Sequence, residues 1–196
     1  TPRSRALRAF LVMCSRLAED ELSRAVRSGT RQYVVLGAGL DTFAYRNPFA
    51  RDLKVFEVDH PATQQWKRAQ LREMGIETPG SLTFAPVDFE KQLLADGLRR
   101  AGFRRRAPAF ISWLGVTMYL TRPAVVSTLR EIAASCARGT WIVFDFMPPP
   151  GALGERERRA REGDAARLER IGEPWITDFD PAGLAAEMRT LGYRET

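Results

Sequence analysis

Two glycines and an aspartate stand where a nucleoside ligand could be held. Gly37 and Gly39 belong to the run Gly-Ala-Gly-Leu-Asp-Thr at residues 37–42, directly after an apolar segment. Such a pair lets the backbone turn sharply and lets a ligand approach where a side chain would block it. Asp59 ends the next apolar segment, where a carboxylate can accept both hydroxyls of an adenosine ribose. Nicotinamide, flavin and S-adenosylmethionine sites all share this arrangement.

Residues 41 and 42 separate these ligand classes. A dinucleotide fingerprint reads Gly-x-Gly-x-x-Gly, and its sixth position is occupied here by Thr42. A carboxylate at Asp41 that faced the ligand would repel a pyrophosphate at the helix N-terminus but would tolerate a zwitterionic methionine. The two residues therefore favour S-adenosylmethionine over a dinucleotide. Asp41 could equally serve as the N-cap of a short helix that follows, because an aspartate is a preferred N-cap.

The elements that must position these residues are predicted to alternate between strands and helices. The intervals between strands are too long for hairpins, which favours parallel pairing through right-handed crossovers. We expect an α/β fold with a doubly wound, mainly parallel, Rossmann-like sheet and a ligand at the carboxyl ends of its strands. The predicted elements are a helix Arg5–Val26, a strand Gln32–Leu36, a strand Leu53–Val58, a helix Ala62–Met74, a strand Leu82–Pro86, a helix Gln92–Ala101, a strand Ala109–Leu114, a helix Ala124–Ala137 and a strand Thr140–Phe146.

The pattern changes after this core. Met147–Gly151 contains three consecutive prolines, and a strongly charged helix is predicted over Ala152–Arg170 and another helix over Ala182–Leu191. A further strand is predicted to begin at the end of the chain, so we expect the sheet to be truncated at its C-terminal edge strands. We expect one domain over 1–196, made of an N-terminal helical segment (1–30), a cofactor-binding core (31–146) and a charged helical segment that starts the C-terminal part (147–196).

The composition indicates an ordinary globular protein and excludes several classes. The chain has 196 residues, of which 44% are hydrophobic, which is enough for one buried core. Its apolar runs are too short to cross a bilayer, and no secretion signal opens it, so we expect a soluble cytoplasmic protein. Two cysteines and one histidine, His60, form no metal-ligand pattern. The net charge is +6, but aromatics are not interleaved with the arginines, so we expect a solvated surface and no nucleic acid partner.

Four sequence blocks resemble a known family. The run of residues 31–46 is similar to motif one of the leucine carboxyl methyltransferase-like family, in its bacterial branch of class I S-adenosylmethionine-dependent methyltransferases. Further blocks resemble that family in the same order, and the resemblance covers nearly the whole chain. They are Phe56–Pro61 with Lys67 following, Val87–Phe89 and Trp113–Thr121.

The resemblance implies roles for the residues that match. It implies that Gly37, with Ala38 and Gly39, lies against S-adenosyl-L-methionine, that Asp59 binds the ribose hydroxyls, and that Asp41 and His60 line the same site. Asp88 and the backbone of Phe89 would face the adenine edge. Arg16 would pair with the methionine carboxylate, for which a guanidinium fork is suited.

Some of these residues have a simpler interpretation. Arg16 could pair with Asp20 one helical turn away, and His60 could shape the turn before Pro61 or act as a base. Trp113 and Tyr119 are expected to be packing residues. One departure from the family is Leu114, where eukaryotic members carry a glutamate, so that polar contact is missing or comes from elsewhere.

The reaction that the resemblance implies is methyl transfer to a small-molecule acceptor. The sulfonium leaving group is already activated, so positioning can supply most of the acceleration. A carboxylate acceptor needs no base, and the sequence offers no convincing one, so we expect O-methylation of a carboxylate or hydroxyl. Two alternatives stay open: a nicotinamide-dependent reductase on the same sheet, and a degenerate ligand-binding module, which Leu114 would suit. The sequence gives no oligomeric state.

Overall fold

The computed structural model describes residues 2–194, with the side chains of residues 8–194. Strands and helices alternate through the first three quarters of the chain, and two helices follow. The strands are β1 Gln32–Leu36, β2 Lys54–Asp59, β3 Leu82–Pro86, β4 Phe110–Trp113 and β5 Trp141–Phe144. The helices are α1 Pro2–Arg27, α2 Pro61–Glu73, α3 Leu94–Arg100, α4 Arg122–Ser135, α5 Glu155–Arg170 and α6 Pro181–Thr190, with short 3-10 turns at Phe43–Tyr45, Thr117–Tyr119 and Pro150–Ala152.

Within residues 2–194 the strands form a five-stranded parallel sheet in the order β3-β2-β1-β4-β5. The order reverses between β1 and β4, which are adjacent although two strands separate them in sequence. The prediction of a doubly wound parallel sheet is therefore confirmed. In such sheets, the crevice at the carboxyl ends beside the reversal is where ligands bind. The strand predicted to begin at the C-terminus reaches Glu195 and Thr196, which lie outside the described residues.

Apolar side chains cover both faces of the sheet. On one face, Val34 and Ile111 join a core with α3, α4 and α6. On the other face, Tyr33 and Val35 pack with Leu22 and neighbouring residues from the C-terminal half of α1. The strands β1 and β4 are buried along their whole length, as expected of central parallel strands. The packing of both faces thus determines where the carboxyl ends of the strands lie.

Several predicted boundaries move by a few residues for identifiable reasons. The helix predicted from Ala124 begins at Arg122, because the Thr121 side chain accepts a hydrogen bond from the Ala124 amide and caps it. The helix predicted from Ala152 begins at Glu155, since Pro150–Ala152 forms a 3-10 turn. No residue of α5 is buried, so this charged helix lies on the surface of the described structure. Among the residues described, no helix combines the length and the apolar character that a membrane span requires.

Candidate cofactor site

Two backbone hydrogen bonds join the glycine loop to the end of β2. The amides of Gly37 and Ala38 both donate to the Val58 carbonyl, at 2.8 and 3.1 Å. Gly37 and Gly39 have φ angles of 66° and 45°, which glycine adopts without strain. A Cβ added to Gly37 would stand 2.3 Å from Cγ2 of Val116, so the segment after β4 closes against the loop.

The open side of the loop is at Gly39. A Cβ built there would meet no closer atom than the Gly37 carbonyl oxygen, at 3.9 Å. The loop therefore has one glycine that allows close packing by the protein and a second glycine that leaves its surface open. A ligand can approach the backbone at the second position.

Asp59 lies against this loop, as the sequence predicts for a residue at the tip of β2. Its Oδ2 accepts a hydrogen bond from the Gly39 amide at 2.5 Å, and its Oδ1 accepts one from the His60 amide at 2.7 Å. Each carboxylate oxygen has a second lone pair, so the group can still accept hydroxyl donors. The predicted ribose-binding carboxylate and the glycine loop thus form one unit.

Asp41 closes the turn that follows the glycines. Its Oδ1 accepts a hydrogen bond from the Phe43 amide at 2.7 Å, and its own amide donates to the Ala38 carbonyl. Burial raises the pKa of the Asp41 carboxyl, and the Phe43 hydrogen bond and the nearby Lys67 cation oppose that shift. The N-cap position of the 3-10 turn that follows is Thr42, so Asp41 stands one residue before it and its side chain bridges the turn to Phe43 instead of serving as the expected N-cap. Direct contact of Asp41 with a ligand stays a prediction.

His60 and Asp88 meet at the carboxyl ends of β2 and β3. Nδ1 of His60 accepts a hydrogen bond from the Ala62 amide at 3.2 Å and so caps α2, which is the turn-shaping role. Nε2 of His60 stands 3.7 Å from Oδ2 of Asp88. Partial desolvation raises the pKa of Asp88, but hydrogen bonds from the Glu90 amide and the Lys91 ammonium outweigh it, so the net shift is downward. A negative charge therefore stands at the carboxyl ends of β2 and β3, close to His60.

Phe89 and Trp113 connect this edge to the core. Their ring centroids are 5.9 Å apart, and Trp113 is completely buried. Trp113 is thus a packing residue, as expected. Because the Phe89 ring packs inward, its backbone is the part of the residue that stays at the strand edge next to Asp88.

Arg16 does not contact the glycine loop in this structure. It is strongly exposed, and its Nε donates to Asp20 Oδ2 at 3.0 Å, which is the simpler of the two interpretations. It does line an open groove of about 330 Å³ together with Glu19 and Arg46. Arg46 follows the 3-10 turn Phe43–Tyr45 that comes after the glycine loop, and it forms a two-point ion pair with Glu19. The methionine-binding role of Arg16 remains a prediction.

A buried ion pair beneath the loop was not predicted as a functional feature. Glu57 in the middle of β2 and Lys67 on α2 lie 2.7 Å apart, with side chains 1% and 6% exposed. Burial raises the pKa of Glu57 to about 7, despite the opposing hydrogen bond and charge of Lys67; the charges of Asp41 and Asp59 add to the rise. The signal in the sequence was a glutamate between two apolar residues, Phe56 and Val58, in the interior of the strand.

A second unpredicted carboxylate stands at the end of β5. Oδ1 of Asp145 accepts a hydrogen bond from the Gly115 amide at 2.7 Å, and its carbonyl accepts one from the Thr117 hydroxyl. Burial raises the pKa of Asp145, and the Gly115 hydrogen bond opposes that rise. Leu114 stands where eukaryotic members of the resembled family carry a glutamate. The next residue, Gly115, is hydrogen-bonded to the carboxylate of Asp145, which follows β5.

Comparison with known proteins identifies relatives of the chain. The chain is 42% identical to YktD of Bacillus subtilis (strain 168), a candidate S-adenosyl-L-methionine-dependent methyltransferase, over 68% of this chain and 42% of that protein. It is 32% identical to a protein of Mycobacterium avium (strain 104) with the same description, over 79% of this chain and 51% of the relative. The chain spans about half the length of the curated relatives it matches.

Solved structures share the fold at low sequence identity. A candidate methyltransferase from Thermobifida fusca YX has a TM-score of 0.60 at 20% identity, covering 89% of this chain and 66% of that one. An O-methyltransferase family protein from Burkholderia thailandensis has a TM-score of 0.58 at 16% identity, covering 96% of this chain and 55% of that one. These likenesses confirm the predicted fold class. The family described as leucine carboxyl methyltransferase matches residues 1–133, more than half of the chain. The chain therefore belongs to the leucine carboxyl methyltransferase family.

Proposed function

We propose that this chain binds S-adenosyl-L-methionine and forms the cofactor-binding core of a methyltransferase. The observation that carries the proposal is the hydrogen bond between the Asp59 carboxylate and the Gly39 amide. It joins an open glycine backbone to an acidic strand end, which is the arrangement that a nucleoside with a ribose diol requires. The names of the relatives support the same cofactor.

The positions of the other residues suggest how the cofactor would lie. The ribose would sit at Asp59, and the adenine would lie beside Asp88 and the backbone of Phe89, at the end of the neighbouring strand. The methionine part would run along Gly37, Ala38 and Gly39. Its carboxylate would then point toward the groove of Arg16, where a guanidinium could pair with it after leaving Asp20.

When bound, the cofactor supplies a methyl group on a positively charged sulfur, which needs no further activation. The protein's contribution is to hold that group and the acceptor in line and to exclude water. We propose a small molecule as the acceptor, with a carboxylate or a hydroxyl as the methylated group. A hydroxyl acceptor would need a proton acceptor. Asp145 is the half-buried carboxylate at the β4 and β5 ends that could take this role.

Titration calorimetry of the full chain tests the proposal. We expect S-adenosylhomocysteine to bind with a dissociation constant in the micromolar range, roughly −8 kcal/mol, and NADH to show no binding. Binding of NADH without S-adenosylhomocysteine would support the reductase instead. Binding of S-adenosylhomocysteine followed by a metabolite screen without methyl acceptance would favour the degenerate binding module.

A further inference from the structure

Lys67 is a buried cation that is hydrogen-bonded to the end of the glycine loop. Its Nζ donates to Oε2 of Glu57 at 2.7 Å and to the backbone carbonyl of Asp41 at 2.7 Å. It also lies 5.8 Å from the centre of the Tyr45 ring, on the 3-10 turn that follows the loop. One ammonium group thus joins α2, β2 and the end of the glycine loop.

We propose that Lys67 is a positioning residue for the cofactor loop, held in place by Glu57 and acting through the Asp41 carbonyl. The part of this proposal that concerns the cofactor rests on the proposed function. The amide of Asp41 donates to Ala38 and its side chain accepts from Phe43. With Lys67 bonded to its carbonyl, Asp41 makes hydrogen bonds through its amide, its side chain and its carbonyl. These three bonds restrict Asp41 and thereby the open glycine backbone just before it.

Stability alone does not explain a buried ion pair at this place. Replacing such a pair by apolar residues of similar volume is often neutral or stabilising, because desolvation offsets most of the attraction. An apolar side chain cannot, however, donate a hydrogen bond to the Asp41 carbonyl. The specific contribution of Lys67 is therefore to fix the direction of the Asp41 carbonyl. Glu57 contributes by fixing the position of the Lys67 ammonium.

The charges around Glu57 make the hydrogen bond between Lys67 and the Asp41 carbonyl sensitive to pH. Lys67 faces it from α2, and two carboxylates add negative charge: Asp41 from the loop and Asp59 from its own strand. Tyr45, on the following turn, also lies within electrostatic reach. Oε1 of Glu57 is buried and has no hydrogen-bond partner among residues 8–194, so a proton can be added there. A neutral Glu57 holds Lys67 less firmly, and the loop then loosens.

Proton uptake by Glu57 therefore has opposite effects on folding and on cofactor binding. Its pKa of about 7 lies above the ordinary value, so the folded state binds this proton more tightly than the unfolded state does. The free energy of unfolding should rise as the pH falls from 8 to 6, while the affinity for S-adenosylhomocysteine falls. A merely structural ion pair would leave the affinity unchanged across this range.

The experiment compares Lys67→Met and Glu57→Gln with the matched control Lys54→Met. Lys54 also donates to a backbone carbonyl, that of Gly80 at 3.3 Å, but it is exposed and lies at the opposite end of β2. At pH 8 we expect both test variants to bind S-adenosylhomocysteine about tenfold more weakly or worse, the effect of losing one charge-assisted hydrogen bond. Glu57→Gln should also weaken the pH dependence of the affinity relative to the wild type, and Lys54→Met should match the wild type.

Amide hydrogen exchange of the ligand-free protein gives a readout that does not depend on the cofactor. Residues 39–43 should exchange faster in Lys67→Met than in Lys54→Met. If the wild type binds no S-adenosylhomocysteine, the proposed function fails, and this exchange still tests the loop. If Lys67→Met does not fold, Glu57→Gln, which is nearly isosteric, supplies the same comparisons. Wild-type affinity and wild-type loop exchange in a folded variant would overturn the proposal.

Discussion

Asp59 shows how one side chain can organise a site before any ligand is present. Its two oxygens accept the amides of Gly39 and His60, at the end of the strand that bears it. These contacts fix the carboxylate in one orientation, so a ribose would meet acceptors that are already in place. A preorganised acceptor binds more tightly because less freedom is lost on binding.

The substitution Asp59→Asn tests this role. Asparagine keeps the shape but loses the charge, and its amide nitrogen cannot accept the second backbone hydrogen bond. We expect the affinity for S-adenosylhomocysteine to fall about tenfold or more, measured by calorimetry. Asp52→Asn is the control, because this exposed aspartate lies just before β2 and away from the loop. Equal affinities in the two variants would contradict the assignment.

The sequence predicts those residues of the candidate site that belong to local patterns. Gly37, Gly39 and Asp59 could be predicted because each lies at or just after the end of a recognisable strand, and the structure brings them together. The contact between Lys67 and the Asp41 carbonyl could not be predicted, since it joins residues that are far apart in the chain and depends on how α2 packs. The contact between Asp145 and Gly115 depends in the same way on the pairing of β4 with β5.

At the scale of elements, the loop after β1 packs against the segment after β4 at Gly37, where a side chain would not fit. Gly37 has a φ of 66°, and a Cβ there would overlap the Val116 side chain at 2.3 Å. Gly75, at the end of α2, has a φ of 67° with nothing within 4 Å of an added Cβ. An alanine at either position would therefore meet similar backbone strain, and the two positions differ in packing.

This pair gives a matched test of the contact between the two segments. We expect Gly75→Ala to lower the free energy of unfolding by about 1–2 kcal/mol, from the left-handed backbone alone. Gly37→Ala should cost about 1–3 kcal/mol more, the usual range for overpacking, in urea denaturation. The double variant Gly37→Ala with Val116→Ala should recover part of that difference. Equal losses at the two glycines would show that Val116 does not restrict the loop.

The elements themselves were easier to predict than their ends. Buried parallel strands are apolar over their whole length, so β1 agrees with its prediction to the residue. Helix ends depend on side-chain caps, and the Thr121 cap extends α4 two residues upstream of the predicted start. The predicted strand Ala109–Leu114 ends at Trp113, just before the turn at Gly115, whose φ is 71°.

At the scale of the whole molecule, the candidate site forms only when β1, β2 and β3 pair in the folded sheet. The glycine loop follows β1, Asp59 ends β2 and Asp88 follows β3, and these strands are neighbours in the parallel order. None of the three positions is near another in an unfolded chain. A ligand of this site should therefore bind the folded state and have no affinity for the unfolded one.

Thermal unfolding should report this coupling directly. At a hundredfold excess over its dissociation constant, S-adenosylhomocysteine should add about 2.7 kcal/mol to the free energy of unfolding. For a chain of 196 residues this corresponds to a rise in Tm of roughly 5–10 °C, measured by calorimetry or circular dichroism. NADH at the same concentration should leave Tm unchanged, and Asp59→Asn should show a smaller rise with S-adenosylhomocysteine. An equal rise in the wild type and in Asp59→Asn would place the ligand elsewhere, because a site built on the three strand ends cannot lose its central carboxylate without losing affinity.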